Sequence, residues 1–255
     1  MKKLILAALI AASIISCKKN DDDNNNNTTA TMKVYITDAP GDYEHIYLDV
    51  VEIAVNNGGW QKLTLTQPDT FDILDYTNGN KLLLADGSIN ADSTSEIRLV
   101  LGSNNTIVLK DGTSHELKVP SGSSSGLKLK LNNTKTLQPG QTYYVVMDFD
   151  AAKSIVETGN GKYMLKPVIR CYWEEGMGAA EGYVMPDTSQ VFVHAINGTD
   201  TLGSTISDTT GYYKVTGLPQ AVYTFSYKGN GKDTTVSGIQ VLQNQTAAID
   251  TVDLN

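Results

Sequence analysis

Residues 127–131 read Leu-Lys-Leu-Lys-Leu, a strict alternation of apolar and charged side chains. Because successive side chains of an extended chain point to opposite faces, this alternation predicts a β-strand that buries one face and wets the other. Further short runs rich in Val, Ile, Leu, Tyr and Thr lie on both sides of it, separated by clusters of Gly, Asn, Asp, Ser and Pro. Such runs between turn residues are typical of consecutive strands, so the sequence predicts an all-β protein.

The predicted strands share this composition and fall into two series. The first comprises residues 33–37, 46–55, 61–65, 96–101, 106–110, 115–119, 127–131, 142–149 and 163–173, and the second comprises residues 181–185, 190–196, 211–216, 222–228, 233–236 and 247–254. One short helix is predicted at residues 151–156.

Between the two series lies a stretch of mostly small residues, 174–180, which predicts a domain boundary. We therefore expect two tandem β-sandwich domains, of the immunoglobulin-like or transthyretin-like kind, at residues 32–175 and 179–255. The second domain has about 75 residues, which is enough for a small sandwich.

The N-terminus has the pattern of an export signal at residues 1–16, with two lysines before an apolar run at residues 4–15. That run is shorter than the ~20 residues that span a bilayer. It ends in Ile14-Ile15-Ser16-Cys17, which resembles the bacterial lipobox, with Ile and Ser where Leu and Gly or Ala are usual. The resemblance implies that Cys17 becomes the mature N-terminus and carries diacylglycerol and an N-acyl chain such as palmitate. A plain secretory signal, with Cys17 discarded or free, is the alternative.

Residues 17–31 follow as a polar stretch without a large apolar side chain, which predicts a disordered tether. Within it, Asp21-Asp22-Asp23 resembles the acidic signal that sends lipoproteins of one group of Gram-negative bacteria to the outer face of the outer membrane. A solvated spacer explains the same residues. We expect a lipid-anchored outer-membrane protein, and surface exposure is the favoured hypothesis.

The charge balance argues against nucleic acid as a partner. The formal net charge is −8, and removal of residues 1–16 with their two lysines makes it −10. Nucleic-acid binding needs a basic stripe, which this composition lacks. The second cysteine, Cys171, lies in an apolar strand-like run and is expected to be a small buried residue rather than a reactive thiol.

Two segments resemble known families. The run from Ser207 to Pro219, Ser-Asp-Thr-Thr-Gly-Tyr-Tyr-Lys-Val-Thr-Gly-Leu-Pro, followed by Tyr223, is similar to the carboxypeptidase-regulatory-like family, whose transthyretin-like sandwich is grouped with carbohydrate-binding-like folds. Residues 34–40, 46–53, 96–102 and 147–156 resemble the bacterial lipoprotein domain catalogued as domain of unknown function 4382. The second resemblance implies no activity.

No spacing typical of catalysis occurs in the sequence. The three histidines, His45, His115 and His194, are far apart and form no metal-binding motif. A nucleophile elbow, a phosphate-binding loop and a dinucleotide fingerprint are also absent. We therefore expect a protein that is not an enzyme and has no resident cofactor.

Acidic residues suggest one metal. Asp38 and Asp42 flank a Pro-Gly turn, and Asp148 and Asp150 alternate at a strand end, so two oxygen-rich loops that meet would form a calcium site. Turn chemistry is the favoured interpretation of the same residues, because Asp side chains in turns bond to the nearby backbone.

Aromatic residues give the remaining functional signal. Trp60 follows a glycine-rich turn, and Tyr172 and Trp173 end the last strand of the first series. Exposed rings at such positions bind sugars or proteins, but burial in the core is the favoured interpretation for the two tryptophans.

Together these observations favour a non-enzymatic cell-envelope lipoprotein that acts as a surface binding or adhesion module. Carbohydrate is the first ligand class, by analogy with the C-terminal fold, and a surface protein is the other. A fimbrial or pilus-like structural or anchor subunit, joined to others by strand donation, is the alternative. A glycan-processing hydrolase accessory is a third hypothesis, which needs an acidic or histidine cluster in one cleft.

Overall fold

A computed structural model describes residues 28–39, 41–66, 70–120, 125–186, 190–229 and 231–254. The predicted signal peptide and the predicted lipidation site, Cys17, lie outside the described residues. So does the predicted tether up to residue 27. In the described part of the chain, no helix has the length and apolar character needed to cross a bilayer.

The fold is all-β, as the alternation in the sequence predicts. Within the described ranges the strands are β1 (Thr29–Ala39), β2 (His45–Leu48), β3 (Val50–Asn56), β4 (Trp60–Lys62), β5 (Thr64–Leu65), β6 (Phe71–Asp72), β7 (Leu82–Asn90), β8 (Ser93–Leu101), β9 (Thr106–Val108), β10 (Ser114–Lys118), β11 (Leu127–Thr136), β12 (Thr142–Asp150), β13 (Ile155–Thr158), β14 (Lys162–Leu165), β15 (Ile169–Trp173), β16 (Gly178–Met185), β17 (Phe192–Asn197), β18 (Asp200–Ile206), β19 (Tyr212–Leu218), β20 (Ala221–Gly229), β21 (Lys232–Val241), β22 (Thr246–Ala248) and β23 (Val252–Asp253). A short helix, α1 (Ala151–Ser154), and a 3-10 helix (Ile73–Tyr76) interrupt them.

Strands β1–β15 form two sheets around one hydrophobic core, and we call this part the N-terminal unit. The larger sheet has the order β4-β3-β8-β11-β15-β12-β1-β7-β5, and the smaller has the order β13-β14-β10-β9-β2-β6. Strand β1 lies inside the larger sheet, parallel to β12 and antiparallel to β7. Its inward side chains Met32, Val34 and Ile36 are fully buried, and each contributes about 1.5–3 kcal/mol through that burial.

The start of β1 corrects one predicted boundary. Residues 29–31 are part of the strand, where they pair with β7, although the sequence places them in the tether and starts the domain at residue 32. The alternation of buried and half-buried side chains already begins at Thr29. The composition of these residues conceals it, because Ala30 is the one apolar side chain among them; it packs in the core, and backbone pairing holds all three residues in the sheet.

Strands β16–β23 enclose a second hydrophobic core, and we call this part the C-terminal unit. One sheet has the order β19-β16-β22, with β23 also paired to β16, and the other has the order β18-β17-β20-β21. In the core the hydroxyls of Tyr213 and Tyr227 lie 2.7 Å apart and satisfy each other. Strands β19 and β21 are edge strands of their sheets.

Candidate functional site

The two units meet where residues 77–80 of the N-terminal unit reach the free edge of β19. Oδ1 of Asn78 accepts a hydrogen bond from the backbone N–H of Lys214 (2.5 Å), and Nδ2 of Asn78 donates to the backbone carbonyl of Tyr212 (3.1 Å). These two backbone groups point away from β16. Tyr213, which lies between them in the sequence, is opposite Gly182 in the pairing of β19 with β16. The Asn78 amide therefore occupies the edge of β19 as a neighbouring strand would.

The conformation of residues 77–80 explains why the sequence there is Asn-Gly. Asn78 has φ +58° and Gly79 has φ +84°, a region in which Asn and Gly are the favoured residues. A Cβ on Gly79 would lie 3.0 Å from the Lys214 side chain. On the side of the N-terminal unit, the Thr37 hydroxyl near the end of β1 lies 2.8 Å from the carbonyl oxygen of Tyr76 and 2.9 Å from that of Asn80. The segment is thus fixed to both units.

A second contact between the units is formed by β15. Arg170 donates from its guanidinium to the carbonyl of Gly217 (2.6 Å) and also binds Oδ2 of Asp148 (2.6 Å). The ring of Tyr172 lies directly against Gly217, so closely that a Cβ at this position would collide with it. Gly217 also has φ +68°, which a side chain would strain.

A third contact lies next to the connection between the units. The side-chain oxygen of Asn244 accepts from the backbone N–H of Gly176 (3.0 Å), and the backbone N–H of Asn244 donates to the carbonyl of Met177 (3.0 Å). With the contacts of Asn78 and Arg170, three separate sets of hydrogen bonds fix the C-terminal unit against the larger sheet.

Between these contacts lies a cleft of about 370 Å³, which we call the inter-unit cleft. The larger sheet supplies one wall, and the start of β16, the end of β19 and the turn before β22 supply the other. Its lining residues combine hydroxyl, amide and charged groups with a few apolar ones: Thr37, Gly79, Asn80, Lys81, Val146, Tyr172, Glu174, Met177, Gly178, Ala179, Thr216, Gly217, Asn244, Gln245 and Thr246.

Beside the cleft, on the same face of the sheet, two tyrosine rings form a platform. Tyr35 and Tyr144 have centroids 6.5 Å apart and planes inclined by 31°, and Tyr144 is 43% exposed. Lys81 lies 4.4 Å from the centroid of Tyr35 and forms an ion pair with Glu174. Lys81 and Glu174 also line the cleft. Because Tyr35 is opposite Val146 in the register of β1 and β12, and Val146 lines the cleft, the platform begins about 4.8 Å, one strand spacing, from the cleft wall.

Two of the three predicted aromatic ligand-binding residues are not available to a ligand as exposed rings. Tyr172 is 3% exposed, and its ring packs between Arg170 and the C-terminal unit. Trp173 is 2% exposed, and its indole N–H donates to the carbonyl of Asn133 (3.0 Å). The favoured interpretation for Trp173, burial in the core, agrees with the structure, because the inner face of β15 packs there. Tyr172 is buried because the C-terminal unit covers the outer face of β15.

Trp60 is half-buried on β4, outside the cleft. The Arg98 guanidinium lies 4.8 Å from its ring centroid and covers one face.

The predicted burial of Cys171 is confirmed. The residue is 3% exposed, and this burial raises the pKa of its thiol to about 12.

The predicted calcium ligands do not assemble into a metal site. The parallel pairing of β1 and β12 brings Asp38, Asp148 and Asp150 near one another, as the sequence predicts. However, Asp148 binds Arg170, Asp150 caps α1 and pairs with Lys153, and Asp38 is turned into the core. Among the described residues, no group of three His, Cys, Asp or Glu side chains is arranged to hold a metal ion.

Asp42 lies elsewhere, in a second cleft of about 450 Å³ on the other side of Asn78. Here Nδ1 of His45 lies 2.6 Å from Oδ2 of Asp72, whose Oδ1 accepts from the backbone N–H groups of Ile46 (3.0 Å) and Leu74 (3.1 Å). This dyad is not evident in the spacing of the sequence, because its members are 27 positions apart. The signal that was available is the Asp before a short 3-10 helix, which is the usual position of a capping residue.

Comparison with known proteins gives one family match. Residues 29–167, more than half of the chain, match the family described as "Domain of unknown function (DUF4382)". No curated protein matches the chain.

Among solved structures the chain is similar to a Bacillus anthracis protein, a minor pilin and a fimbrial protein. The Bacillus anthracis TIE protein has 12% identity and a TM-score of 0.26, with 88% of this chain and 34% of that chain covered. The minor pilin GBS52 of Streptococcus agalactiae has 9% identity and a TM-score of 0.23, with coverage of 87% and 94%. A fimbrial protein of Bacteroides ovatus has 10% identity and a TM-score of 0.24, with coverage of 89% and 50%. The chain thus spans about a third of the first protein and half of the third, and TM-scores this low carry no argument about binding or assembly.

Proposed function

This chain belongs to the family of domains of unknown function 4382, and we propose that it is a non-enzymatic cell-envelope lipoprotein that binds carbohydrate at the inter-unit cleft. The observation that carries the proposal is the combination of a tyrosine pair, of which Tyr144 is exposed and Tyr35 half-buried, with a hydrogen-bonding cleft on one face of the sheet. Sugars present C–H faces that pack on aromatic rings and hydroxyls that bond to amides, hydroxyls and charged groups. In this proposal the tyrosine platform packs against the C–H face of the sugar, and the polar groups of the cleft form hydrogen bonds with its hydroxyls.

The size and lining of the cleft support this ligand class. Its volume of about 370 Å³ lies near the lower end of the ~300–1,000 Å³ range of small-molecule sites. Asn80 and Gln245 supply amide donors and acceptors from opposite walls, and Thr246 supplies a hydroxyl. The Lys81–Glu174 ion pair adds one cation and one anion at the junction with the platform. A short saccharide is the ligand that matches this size and mixture.

The three contacts between the units favour binding without a large rearrangement. Because Asn78, Arg170 and Asn244 each bond across the boundary, both walls of the cleft are held in place before a ligand arrives. A preformed site avoids part of the entropy cost of ordering its groups on binding. The family resemblance of the C-terminal unit to carbohydrate-binding-like folds supports the same ligand class by analogy.

The anchoring part of the proposal rests on the sequence. Cys17, after a short apolar run and before a polar stretch, is the proposed lipidation site, and lipid holds the protein at the outer membrane with its units outside. The proposed partners are thus the membrane, through the lipid, and a glycan or surface protein, through the cleft. Nucleic acid is not among them.

A structural role as a fimbrial or anchor subunit is the second candidate, and one observation favours it. Strand β21 (Lys232–Val241) is long and lies at the edge of its sheet, where it pairs with β20 on one side. An edge of this length is a template for a strand from another molecule.

A role as a glycan-processing hydrolase accessory is the third candidate. The His45–Asp72 dyad in the second cleft is the arrangement in which a carboxylate orients a general base. Mutation of His45 with loss of glycan turnover would support this role.

The test is a glycan array with the lipid-free mature chain, residues 18–255, and three forms of it: wild type, Tyr144→Ala and Tyr183→Ala. Tyr183 is the matched control, because it is 50% exposed and lines neither cleft. We expect wild type and the control to bind one sugar class and Tyr144→Ala to bind it at least about tenfold more weakly. A silent array, or equal binding by all three, contradicts a carbohydrate role for this site and shifts the weight to the structural candidate.

A further inference from the structure

Asn78, the residue that covers the edge of β19, precedes a glycine. Asn-Gly is the dipeptide in which spontaneous deamidation is least hindered, because glycine has no side chain to shield its nitrogen. In that reaction the backbone nitrogen of Gly79 attacks Cγ of Asn78 and ammonia leaves. Water then opens the five-membered imide to Asp or isoaspartate, so one water is consumed and one ammonia is released.

The contact between the units opposes this attack. Both polar atoms of the Asn78 amide are engaged, Oδ1 by Lys214 and Nδ2 by Tyr212, and its own backbone N–H donates to Oγ1 of Thr205 (3.1 Å). For Cγ to approach the Gly79 nitrogen, the side chain must leave both bonds on the β19 edge. Deamidation therefore requires that this contact open first.

The product is incompatible with the contact it leaves. Asp and isoaspartate carry a carboxylate where the amide had one donor and one acceptor. The former Nδ2 position, 3.1 Å from the Tyr212 carbonyl oxygen, then holds an acceptor facing an acceptor, with a negative charge added. Isoaspartate also lengthens the backbone by one methylene group, which displaces Gly79 from a position where the space for a Cβ is already closed by the Lys214 side chain at 3.0 Å.

We propose that Asn78 is a deamidation site that docking of the two units protects, and that its conversion prevents the units from docking again. The modification would thus act once, in one direction, on the segment that separates the two clefts. It needs no enzyme and no reactant other than water.

The chain supplies its own internal standard for the first test. Asn160-Gly161 is an exposed Asn-Gly pair in the turn between β13 and β14. The lipid-free mature chain is kept at mildly alkaline pH and 37 °C, and the mass increase of the peptides that contain Asn78 and Asn160 is followed over time. In the wild type we expect Asn160 to convert about tenfold or more faster than Asn78.

Two variants that disturb docking without touching Asn78 complete this test. Gly217→Ala places a side chain against Tyr172, and Arg170→Ala removes the bond to Gly217. Gly231→Ala is the control for the first, because it has the same φ of +68° and no neighbour within 4 Å of its Cβ. We expect Asn78 to convert faster in both docking variants and at the wild-type rate in the control. Equal rates at Asn78 and Asn160 in the wild type, or no acceleration in either docking variant, overturn the protection.

The second test addresses the product and does not depend on any ligand. Asn78→Asp is compared with Asn160→Asp by hydrogen exchange of backbone amides. We expect Asn78→Asp to raise the exchange of Lys214 and its neighbours on β19 about tenfold or more, and Asn160→Asp to leave them unchanged. If β19 exchanges equally slowly in both variants, the carboxylate is tolerated and the proposed block to docking is wrong.

Discussion

The side-chain oxygen of Asn78 lies 2.5 Å from the backbone nitrogen of Lys214, so a single amide from one unit completes the edge of a strand in the other. Proteins protect strand edges in several ways, because an open edge pairs with other chains. Here the protection comes from the neighbouring unit, and it places a cleft on each side of the contact. The contact of Asn78 with β19 therefore separates the two clefts, and its neighbours Gly79 and Asn80 line the candidate site.

Asn78→Ala is expected to weaken the coupling between the units. It removes two hydrogen bonds from the β19 edge and leaves the Lys214 N–H without a protein partner, which costs about 1–3 kcal/mol, whereas the Tyr212 carbonyl keeps the hydrogen bond from the backbone N–H of Asp208 (2.9 Å). Calorimetry should show the unfolding of the C-terminal unit at a lower temperature than in the wild type. Asn160→Ala is the control, and an equal shift in both variants would contradict the role of Asn78.

Gly217→Ala is expected to destabilise the protein more than Gly231→Ala. Both glycines have φ +68°, so both substitutions carry the same backbone strain of about 1 kcal/mol. Only at position 217 does the new methyl group meet another side chain, the ring of Tyr172. Urea unfolding of the two variants measures the difference, and equal midpoints would show that the Tyr172 contact yields without cost.

Asp38→Asn is expected to stabilise the protein, and more strongly at neutral than at acidic pH. Burial, and then the negative charge of Asp148, raise the pKa of Asp38 well above its usual range, and Asp150 and Asp72 act in the same direction. The folded state therefore binds a proton more tightly than the unfolded state. The stability that this proton contributes is complete below about pH 4 and is lost as the pH rises through the folded-state pKa.

Because Asn is neutral at every pH, the gain from Asp38→Asn should be small near pH 4 and reach about 1–3 kcal/mol near neutral pH. Denaturant unfolding at several pH values measures it. Asp111→Asn is the control with the opposite sign. The hydrogen bond from the Thr113 side chain lowers the pKa of Asp111, so that carboxylate contributes stability that is present above its unfolded-state pKa and is lost on acidification. A gain for Asp38→Asn that does not change with pH would contradict a buried, protonated Asp38.

The hydroxyl pair of Tyr213 and Tyr227 should show strong non-additivity. Replacing either tyrosine by phenylalanine leaves the other buried hydroxyl without its partner at 2.7 Å, which costs about 1–3 kcal/mol. The double phenylalanine variant leaves no orphan, so it should be more stable than the less stable single variant. A double-mutant cycle by urea unfolding checks this, and purely additive losses would contradict the mutual bond.

The sequence predicts the strands best where one face is buried and the other is wet. Residues 127–131 lie in β11 as predicted, and the short helix before Ile155 begins where expected. Strands β7 and β18 are missed, because each contains a glycine that interrupts the apolar pattern. In β18, Gly203 allows close packing, since a Cβ there would lie 2.7 Å from Val215. A local pattern contains no information about a neighbour that approaches from another strand.

The candidate site is less predictable than the fold because it is formed by packing of one unit on the other. Tyr172 and Trp173 stand next to each other and face opposite sides of the sheet, yet both are buried. The burial of Tyr172 depends on Gly217, which is remote in sequence. Tyr35 and Tyr144 form the platform only because β1 and β12 pair in parallel across more than a hundred intervening residues. None of these relationships has a signature in the spacing of residues.

The position of β1 has a mechanical consequence. Its first residue, Thr29, follows the polar N-terminal stretch in the sequence. Near its end, the Thr37 hydroxyl bonds to the carbonyls of Tyr76 and Asn80, which flank the residues that contact the C-terminal unit. A pull on the N-terminal stretch therefore acts along the axis of β1, which is in register with β12 over nine residue pairs and with β7 on its other side. The hydrogen bonds to antiparallel β7 are roughly perpendicular to that axis and those to parallel β12 are slanted across it, so the pull loads both sets in shear and they must yield together. A chain held at this end and loaded at the far end of β1 has the geometry that resists extension.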